Sequence, residues 1–353
     1  MSKKVFSFLV GVLVAANCFG QDPQFSQFYA APIYLNPAFT GGALAPRITA
    51  NYRNQWPSLS ANFVTSSFSV DHFFEKANSG IGLIVTTDAQ GVGRLKSTDL
   101  GLTYSYMFRL DEKTNVRFGL QGSYVNRTID YNGLVFSYDY DAASRIYRPN
   151  GNDPIVANTK PNEYLDFSTG VLMYNDRSWF GVALHHLNRP DQSFIDNTAI
   201  PNAASEQLPM KFSVQGGLNI PITSNIGGGR AANADKQLIA TPAFLYKRQG
   251  KFDQLDIGFY MTYTPLTLGL WYRGIPIKKT QDGLNNHDAL IALVGYRIDN
   301  FSIGYSYDLT ISKLGADSGG AHEISISYQF ENLEKDKSKS ARRRKKELSC
   351  PKF

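Results

Sequence analysis

Phe301-Ser-Ile-Gly-Tyr-Ser-Tyr-Asp-Leu309 carries Phe, Ile, Tyr, Tyr and Leu at its odd positions and Ser, Gly, Ser and Asp at its even ones. Successive side chains of a β-strand point to opposite faces, so this stretch is a strand with one apolar and one polar face. Asp99–Leu110 repeats the pattern, with Leu100, Leu102, Tyr104, Tyr106, Phe108 and Leu110 in phase. Met210–Ile220, Leu255–Tyr263 and His322–Phe330 do so again. Counting such segments from Arg47–Arg53 to His322–Phe330 predicts about 14 strands.

Soluble sandwiches alternate too, but three features single out a membrane barrel. The segments run about 8–14 residues, enough to cross a bilayer at a tilt, where soluble strands average about 5–6. Aromatics gather toward strand ends, at Tyr104, Tyr106 and Phe108 and at Tyr305 and Tyr307, where interfacial girdles sit. Connections alternate in length, as outer-membrane barrels require. They are tight near Asp111–Lys113, Asn175–Arg177, Pro265 and Asp299–Asn300, and long near Thr128–Glu163, Asn188–Pro209 and Thr310–Ala321. A first strand rising from the periplasm makes the tight turns periplasmic and the long loops external. Pro221–Lys236 and Lys247–Lys251 break this parity, and a miscounted strand there is the alternative. The expected fold is all-β: a transmembrane outer-membrane β-barrel of about 14 antiparallel strands.

The rest of the composition agrees. The 353 residues are 19% charged and 13% aromatic, with 20 Tyr and 23 Phe. The longest apolar run, Val5–Ala16, is too short for a membrane helix, which needs about 20 residues. It follows Lys3-Lys4 and precedes Cys18-Phe19-Gly20, the pattern of a signal peptide over 1–20 that leaves Gln21 as the mature start. A rival reading acylates Cys18, but Asn17 stands where lipoprotein signals carry Gly, Ala or Ser. With Cys18 removed, Cys350 is left without an internal disulfide partner. The net charge of +6 resides in the tail: 331–353 holds nine Lys/Arg against four Asp/Glu. The body is close to neutral.

Chemistry is sparse. No HExxH, GxSxG, CxxC or phosphate-cradling loop occurs, so no enzyme and no cofactor is expected. His185 and His186 are adjacent on an expected strand, point to opposite faces and cannot share a metal. Asp139–Asp153 is rich in oxygen ligands but lacks calcium-loop spacing; a solvated loop is the plainer reading. Arg342-Arg343-Arg344-Lys345-Lys346 would suggest nucleic acid in a cytoplasmic protein. In an exported one it is a solvated tail or a docking segment for a partner, together with Cys350.

The mature start is the most distinctive stretch: Gln21-Asp-Pro-Gln-Phe-Ser-Gln-Phe-Tyr29, then Asn36-Pro-Ala-Phe-Thr-Gly41, then Arg53-Asn-Gln-Trp56-Pro57. These elements, in this order behind a signal peptide, resemble the PorP/SprF family of the Bacteroidota type IX secretion and gliding machinery. The resemblance implies an outer-membrane component that works with a secreted adhesin bearing a C-terminal sorting domain, with periplasmic machinery and with outer-membrane lipid. Gln24, Gln27, Asn36, Pro37, Arg53 and Trp56 are then candidate protein-binding residues, with the basic tail run and Cys350. The chain divides into the signal peptide, a motif segment 21–46 packed on or in the barrel, the barrel 47–330 and a tail 331–353, both termini periplasmic. A small-molecule channel or transporter is the alternative function, since a lumen lined by Ser, Thr, Gly and Gln holds water or a plug equally well.

Overall fold

The structure, a computed structural model, describes residues 22–91, 95–130, 140–141, 146–147, 159–194, 206–222, 238–279, 285–312 and 315–331. Among these, 14 strands close into one antiparallel barrel. They are β1 (Arg47–Gln55), β2 (Phe63–Phe74), β3 (Ser79–Gln90), β4 (Leu95–Arg109), β5 (Asn115–Thr128), β6 (Asn162–Tyr174) and β7 (Ser178–His185). Then follow β8 (Lys211–Leu218), β9 (Leu238–Gln249), β10 (Phe252–Tyr263), β11 (Leu266–Lys279), β12 (Asn285–Ile298), β13 (Phe301–Thr310) and β14 (Ala321–Gln329). Each strand pairs with its sequence neighbours, and β14 returns to β1 with Arg47 opposite Gln329.

Burial is inverted relative to a soluble protein. On β13, Phe301, Ile303, Tyr305 and Leu309 are 39–41% exposed, while Ser306 and Asp308 are at 0% and 2%. The same holds around the wall: Leu102, Leu120, Leu165 and Leu270 face outward and Thr103, Ser123, Ser168 and Thr267 inward. Only lipid makes an apolar outer surface of this extent favourable. The barrel has a turn end, where Arg47 and Gln329 lie, and a loop end, where β13 and β14 are joined by residues 311–320.

The two parity-breaking connections are features of the fold and not a miscounted strand. β8 reaches the turn end and β9 starts from it at Leu238; β9 and β10 meet at the loop end through Gly250 and Lys251. Pro242 explains the ragged end of β8. Proline has no N–H to give a neighbouring strand. Pairing of β8 with β9 stops at Gly217–Ala243 and resumes at Ile220–Ala240, and Thr241 Oγ1 donates to Asn219 Oδ1 (2.8 Å) across the gap.

Residues 22–46 cross the barrel interior. Asp22 lies beside Lys211 and Gln249 at the loop end. A short helix, α1 (Pro32–Leu35), and a 3-10 turn at Pro37–Phe39 follow. At the turn end the Ala43 carbonyl accepts from Gln329 Nε2 (3.3 Å) and the Pro46 carbonyl from the Phe330 N–H (2.8 Å). Asp22, next to the expected mature start, lies at the end opposite Gln329, because the segment runs the length of the lumen before β1 begins.

Candidate functional site

The lumen and the plug that fills it form the site. Near the loop end, Ser26 sits in a buried ionic cluster. Its Oγ donates to Asp308 Oδ2 (2.6 Å) and accepts from Arg53 Nη1 (2.7 Å) and Arg273 Nη2 (2.8 Å). The Glu323 carboxylate accepts the backbone N–H groups of Ser26 (2.6 Å) and Gln27 (2.9 Å). Arg53 pairs with Asp308 (2.8 Å) and Glu323 (3.2 Å), and Arg273 with Asp256 (2.7 Å) and Asp308 (2.8 Å). Buried charges persist only when paired and hydrogen-bonded, and here the plug's own backbone supplies part of the pairing. Gln27 Nε2 donates to the Glu323 carbonyl (2.9 Å), and its Oε1 accepts from Ser325 Oγ (2.6 Å).

Mid-lumen the plug is apolar: Phe28, Tyr29, Leu35 and Phe39 cluster with Trp179, Leu245, Tyr260 and Trp271 of the wall. Asn36 then caps the 3-10 turn, its Oδ1 accepting from the Ala38 N–H (2.8 Å). Its Nδ2 donates to the carbonyls of Val171 (3.3 Å) and Val182 (3.1 Å). Pro37 supplies the fixed φ that starts the turn. Toward the turn end the Thr40 carbonyl accepts from Arg117 Nη1 and Ser105 Oγ (both 2.7 Å), and Gly41 N–H donates to Asp71 (2.6 Å). Wall glycines make this closeness possible. A Cβ at Gly119 would overlap Ala38, one at Gly170 Asn36, and one at Gly80 would meet the Thr40 carbonyl at 2.5 Å.

The Asp22 end of the plug is clasped at the loop end. Asp22 Oδ2 pairs with Lys211 Nζ (2.6 Å) and His186 Nε2 (2.7 Å), and His186 Nδ1 reaches Asp166 Oδ2 (3.0 Å). Burial works to lower the His186 pKa, but the Asp22 and Asp166 carboxylates outweigh it and raise it to about 9. The alternation argument for His185 and His186 therefore fails: β7 ends at His185, and His186 has φ +60°. His185 is buried against Ser168 Oγ (3.1 Å), and His186 is half-buried in the clasp.

The family model of the type IX secretion system membrane protein PorP/SprF matches residues 17–328. The chain belongs to the PorP/SprF family. No curated protein matches it. Solved structures share the barrel at low similarity. The Acinetobacter baumannii outer membrane protein Omp33 is 7% identical, covering 82% of this chain and 100% of its own, with a TM-score of 0.39. The P. putida toluene transporter TodX is 10% identical, covering 84% and 93%, at 0.42. A Pseudomonas aeruginosa FadL homologue is 13% identical, covering 84% and 98%, at 0.39.

The signature residues that resemble the PorP/SprF opening separate into two groups. Gln27, Asn36, Pro37 and Arg53 are buried contacts between plug and wall, and Gln24 Oε1 accepts from Lys247 Nζ (2.8 Å). Trp56 is apart from them. It follows β1 at the loop-end rim with φ +57°, its backbone N–H donating to the Gly320 carbonyl (2.7 Å) and its ring edge-on to Phe63. Arg342, Arg343, Arg344, Lys345, Lys346 and Cys350 lie outside the described residues, as does most of Asp139–Asp153. Among the described residues no group of three His, Cys, Asp or Glu is placed to hold a metal ion. Sequence reasoning missed Ser26, Asp71, Arg117, Asp256, Arg273, Asp308 and Glu323. Their signal was available: each charge among them falls on the polar phase of an alternating strand, which a barrel turns inward.

Proposed function

We propose that this PorP/SprF-family barrel is a non-enzymatic protein-binding platform of the type IX secretion system. It engages a secreted surface adhesin at its loop end and periplasmic machinery at its turn end. The observation that carries the reading is the plug: the lumen is occupied from Asp22 to Pro46 by the chain's own apolar and ion-paired residues. A barrel filled in this way offers two end surfaces and not a passage. The loop end faces outward in this reading, as long loops do in outer-membrane barrels, and the tail after Phe330 enters the periplasm. Its basic run there attracts an acidic protein surface. Gliding is the process such an adhesin would serve.

The test is a mild-detergent pull-down of the intact barrel, with conductance recorded in planar bilayers from the same preparation. Recovery of an adhesin and periplasmic components from a non-conducting barrel is the expected result. Steady single-channel conductance with no protein retained would favour the small-molecule channel and overturn the reading.

A further inference from the structure

At the loop end the wall is not level. β6 begins at Asn162, but β7 pairs with it only from Thr169 to Tyr174. The first half of β6 is bonded to β5 on one side, from Arg127–Asn162 onward, and among the described residues no strand lies on its other side. The backbone groups of an antiparallel strand turn to its two neighbours in alternation. On β6 the odd-numbered residues turn away from β5: the Phe167 carbonyl accepts from the Leu187 N–H (2.9 Å) and the Leu165 carbonyl from Asn188 Nδ2 (2.7 Å). By the same alternation the Leu165 N–H and both backbone groups of Glu163 point to the open side.

The chain leaves this edge after Asn188. His186 and Arg189 have φ +60° and +44°, and Pro190 beyond them is buried. The carbonyls of Gln192 and Ser193 then accept from Arg127 Nη1 (3.3 Å) and Asn162 Nδ2 (2.5 Å), on the inward phase of β5 and β6. The loop thus crosses the inner face and does not run along the edge. One side chain stands where the next strand would be. Asn188 Oδ1 accepts from the Phe167 N–H (3.3 Å) while its Nδ2 donates to the Leu165 carbonyl. A primary amide carries the acceptor and donor of a peptide group, so Asn188 holds the position that a peptide group of an added strand would take. Glu163, Leu165, Phe167, Leu187 and Asn188 are all exposed, and the edge is reached from outside. Tyr124 lies opposite Leu165, and one step further out Asn126 Nδ2 donates to Glu163 Oε1 (2.9 Å). An aromatic followed by polar residues marks the boundary of a bilayer, where unpaired backbone meets water and not hydrocarbon.

We propose that the open edge of β6, Glu163–Phe167, docks an extended segment of a partner polypeptide, which adds as a strand and displaces the Asn188 amide. Main-chain bonds supply the affinity in this mode and alternate side chains the selectivity. Leu165 and Phe167 on the outer face select apolar residues, and Glu163 selects Lys or Arg. The proposal rests on the reading of the barrel as a protein-binding platform and names the mode of one contact.

The test uses the full-length barrel in detergent with a fluorescent peptide, Lys-Thr-Val-Thr-Val-Thr-Lys, and an analogue N-methylated at every Thr and Val. The barrel should bind the first and not the second. Asn188→Ala removes the competing amide and should tighten binding by about five- to tenfold. Leu165→Pro removes an edge N–H that β5 does not use and should weaken binding by about tenfold. A tightening at position 188 cannot arise from misfolding, and heat-modified mobility on gels reports the fold of every variant. Equal binding of the two peptides would overturn the proposal, as would no binding by wild type and Asn188→Ala alike. So would slow amide exchange at Glu163 and Leu165 without peptide, which would show the edge covered by the barrel's own chain. A barrel dimer that Leu165→Pro dissolves would assign the edge to a second copy and overturn it too. Peptide binding with no adhesin in the pull-down would leave the edge standing while the platform reading fell; an adhesin recovered equally with wild type and Leu165→Pro would do the opposite.

Discussion

The side-chain oxygen of Asn36 occupies the space where a Cβ on Gly170 would stand. The plug and the wall are thus fitted at the level of single carbons. Gly170→Ala must push Asn36 off the carbonyls of Val171 and Val182, at a cost of about 1–3 kcal/mol for forced overpacking. Gly122→Ala is the matched control, since its Cβ would meet only Phe167 at 3.6 Å. Urea unfolding should separate the two, and amide exchange at Ala38–Gly41 should quicken in Gly170→Ala alone. Equal behaviour of both variants would mean that the plug is not seated on that glycine.

Arg53 ties the first strand to the last two, through Asp308 and Glu323, and holds Ser26 between them. Removing it leaves Asp308 to Arg273 and takes from Glu323 its ion-pair partner. Breaking one partner of a buried ion network typically costs about 3–5 kcal/mol. Arg53→Met should therefore destabilise the barrel by about that amount. Adding Glu323→Gln should restore part of the loss, because it removes an uncompensated charge and keeps an acceptor for the plug backbone. A double variant less stable than the single one would contradict this account.

The wall was legible in the sequence because lipid imposes a period of two that hardly any other environment sustains over 14 strands. Phe301–Leu309 announces its outer face residue by residue. The plug was legible as a segment packed on or in the barrel, but not as one that runs the length of the lumen. Gln24–Gly41 has no helical or strand period, and its aromatics, all but Tyr34 buried in the lumen, serve no girdle. Nor does one sequence say that Gly80, Gly119 and Gly170, on three different strands, line one path. The ionic cluster was half legible: Arg53 stood out through its family motif, but its partners Asp308 and Glu323 are distant in the chain and meet it only once the barrel closes. His186 misled because a single residue beyond the strand end abandons the alternation.

Tyr305 and Ser306 are neighbours with opposite surroundings. Tyr305 is 41% exposed on the outer face, and Ser306 is at 0%, within 3.3 Å of Gln27 Nε2. An Arg on the lipid face costs about 2–4 kcal/mol near the midplane. Tyr305→Arg should therefore reduce insertion into thick bilayers while amide exchange of the plug stays slow. Ser306→Arg should insert normally and release Gln27, so that plug exchange quickens. The polar phase is no tolerant control, because the lumen behind it is full. Identical effects of the two substitutions would refute the facing assigned to β13.

The Asp22 end of the plug should be reachable from the loop end. Asp22 and Pro23 are partly exposed there, while Phe25 through Ile33 below them are closed off by the wall. A cysteine introduced as Pro23→Cys in a Cys350→Ser background should react with a membrane-impermeant thiol reagent on intact cells. A cysteine at Lys113, in the β4–β5 turn, should react only after the outer membrane is opened. The opposite pattern would invert the barrel in the membrane, and protection of both would bury the clasp altogether.

The clasp also has a pH limit with a definite sign. The His186 pKa lies at about 9 in the folded barrel, against an ordinary value of 6.5, because the Asp22 and Asp166 carboxylates overcome the effect of burial. A group whose pKa rises on folding stabilises the fold fully below its unfolded value and ceases to do so as pH climbs through the folded one. The contribution of His186 should thus be complete near pH 6, decline above about 6.5 and be gone above about 9. Asp22 sets the opposite limit: although burial works to raise its pKa, His186 and Lys211 hold it well below 3.8, so its contribution is lost only in strong acid. The stability difference between wild type and His186→Gln, measured by urea unfolding across pH 6 to 10, isolates the histidine. It should be largest at the acid end of that range and shrink steadily toward pH 10. A difference that grows with pH, or one that does not change, would mean that His186 does not hold the plug as a cation.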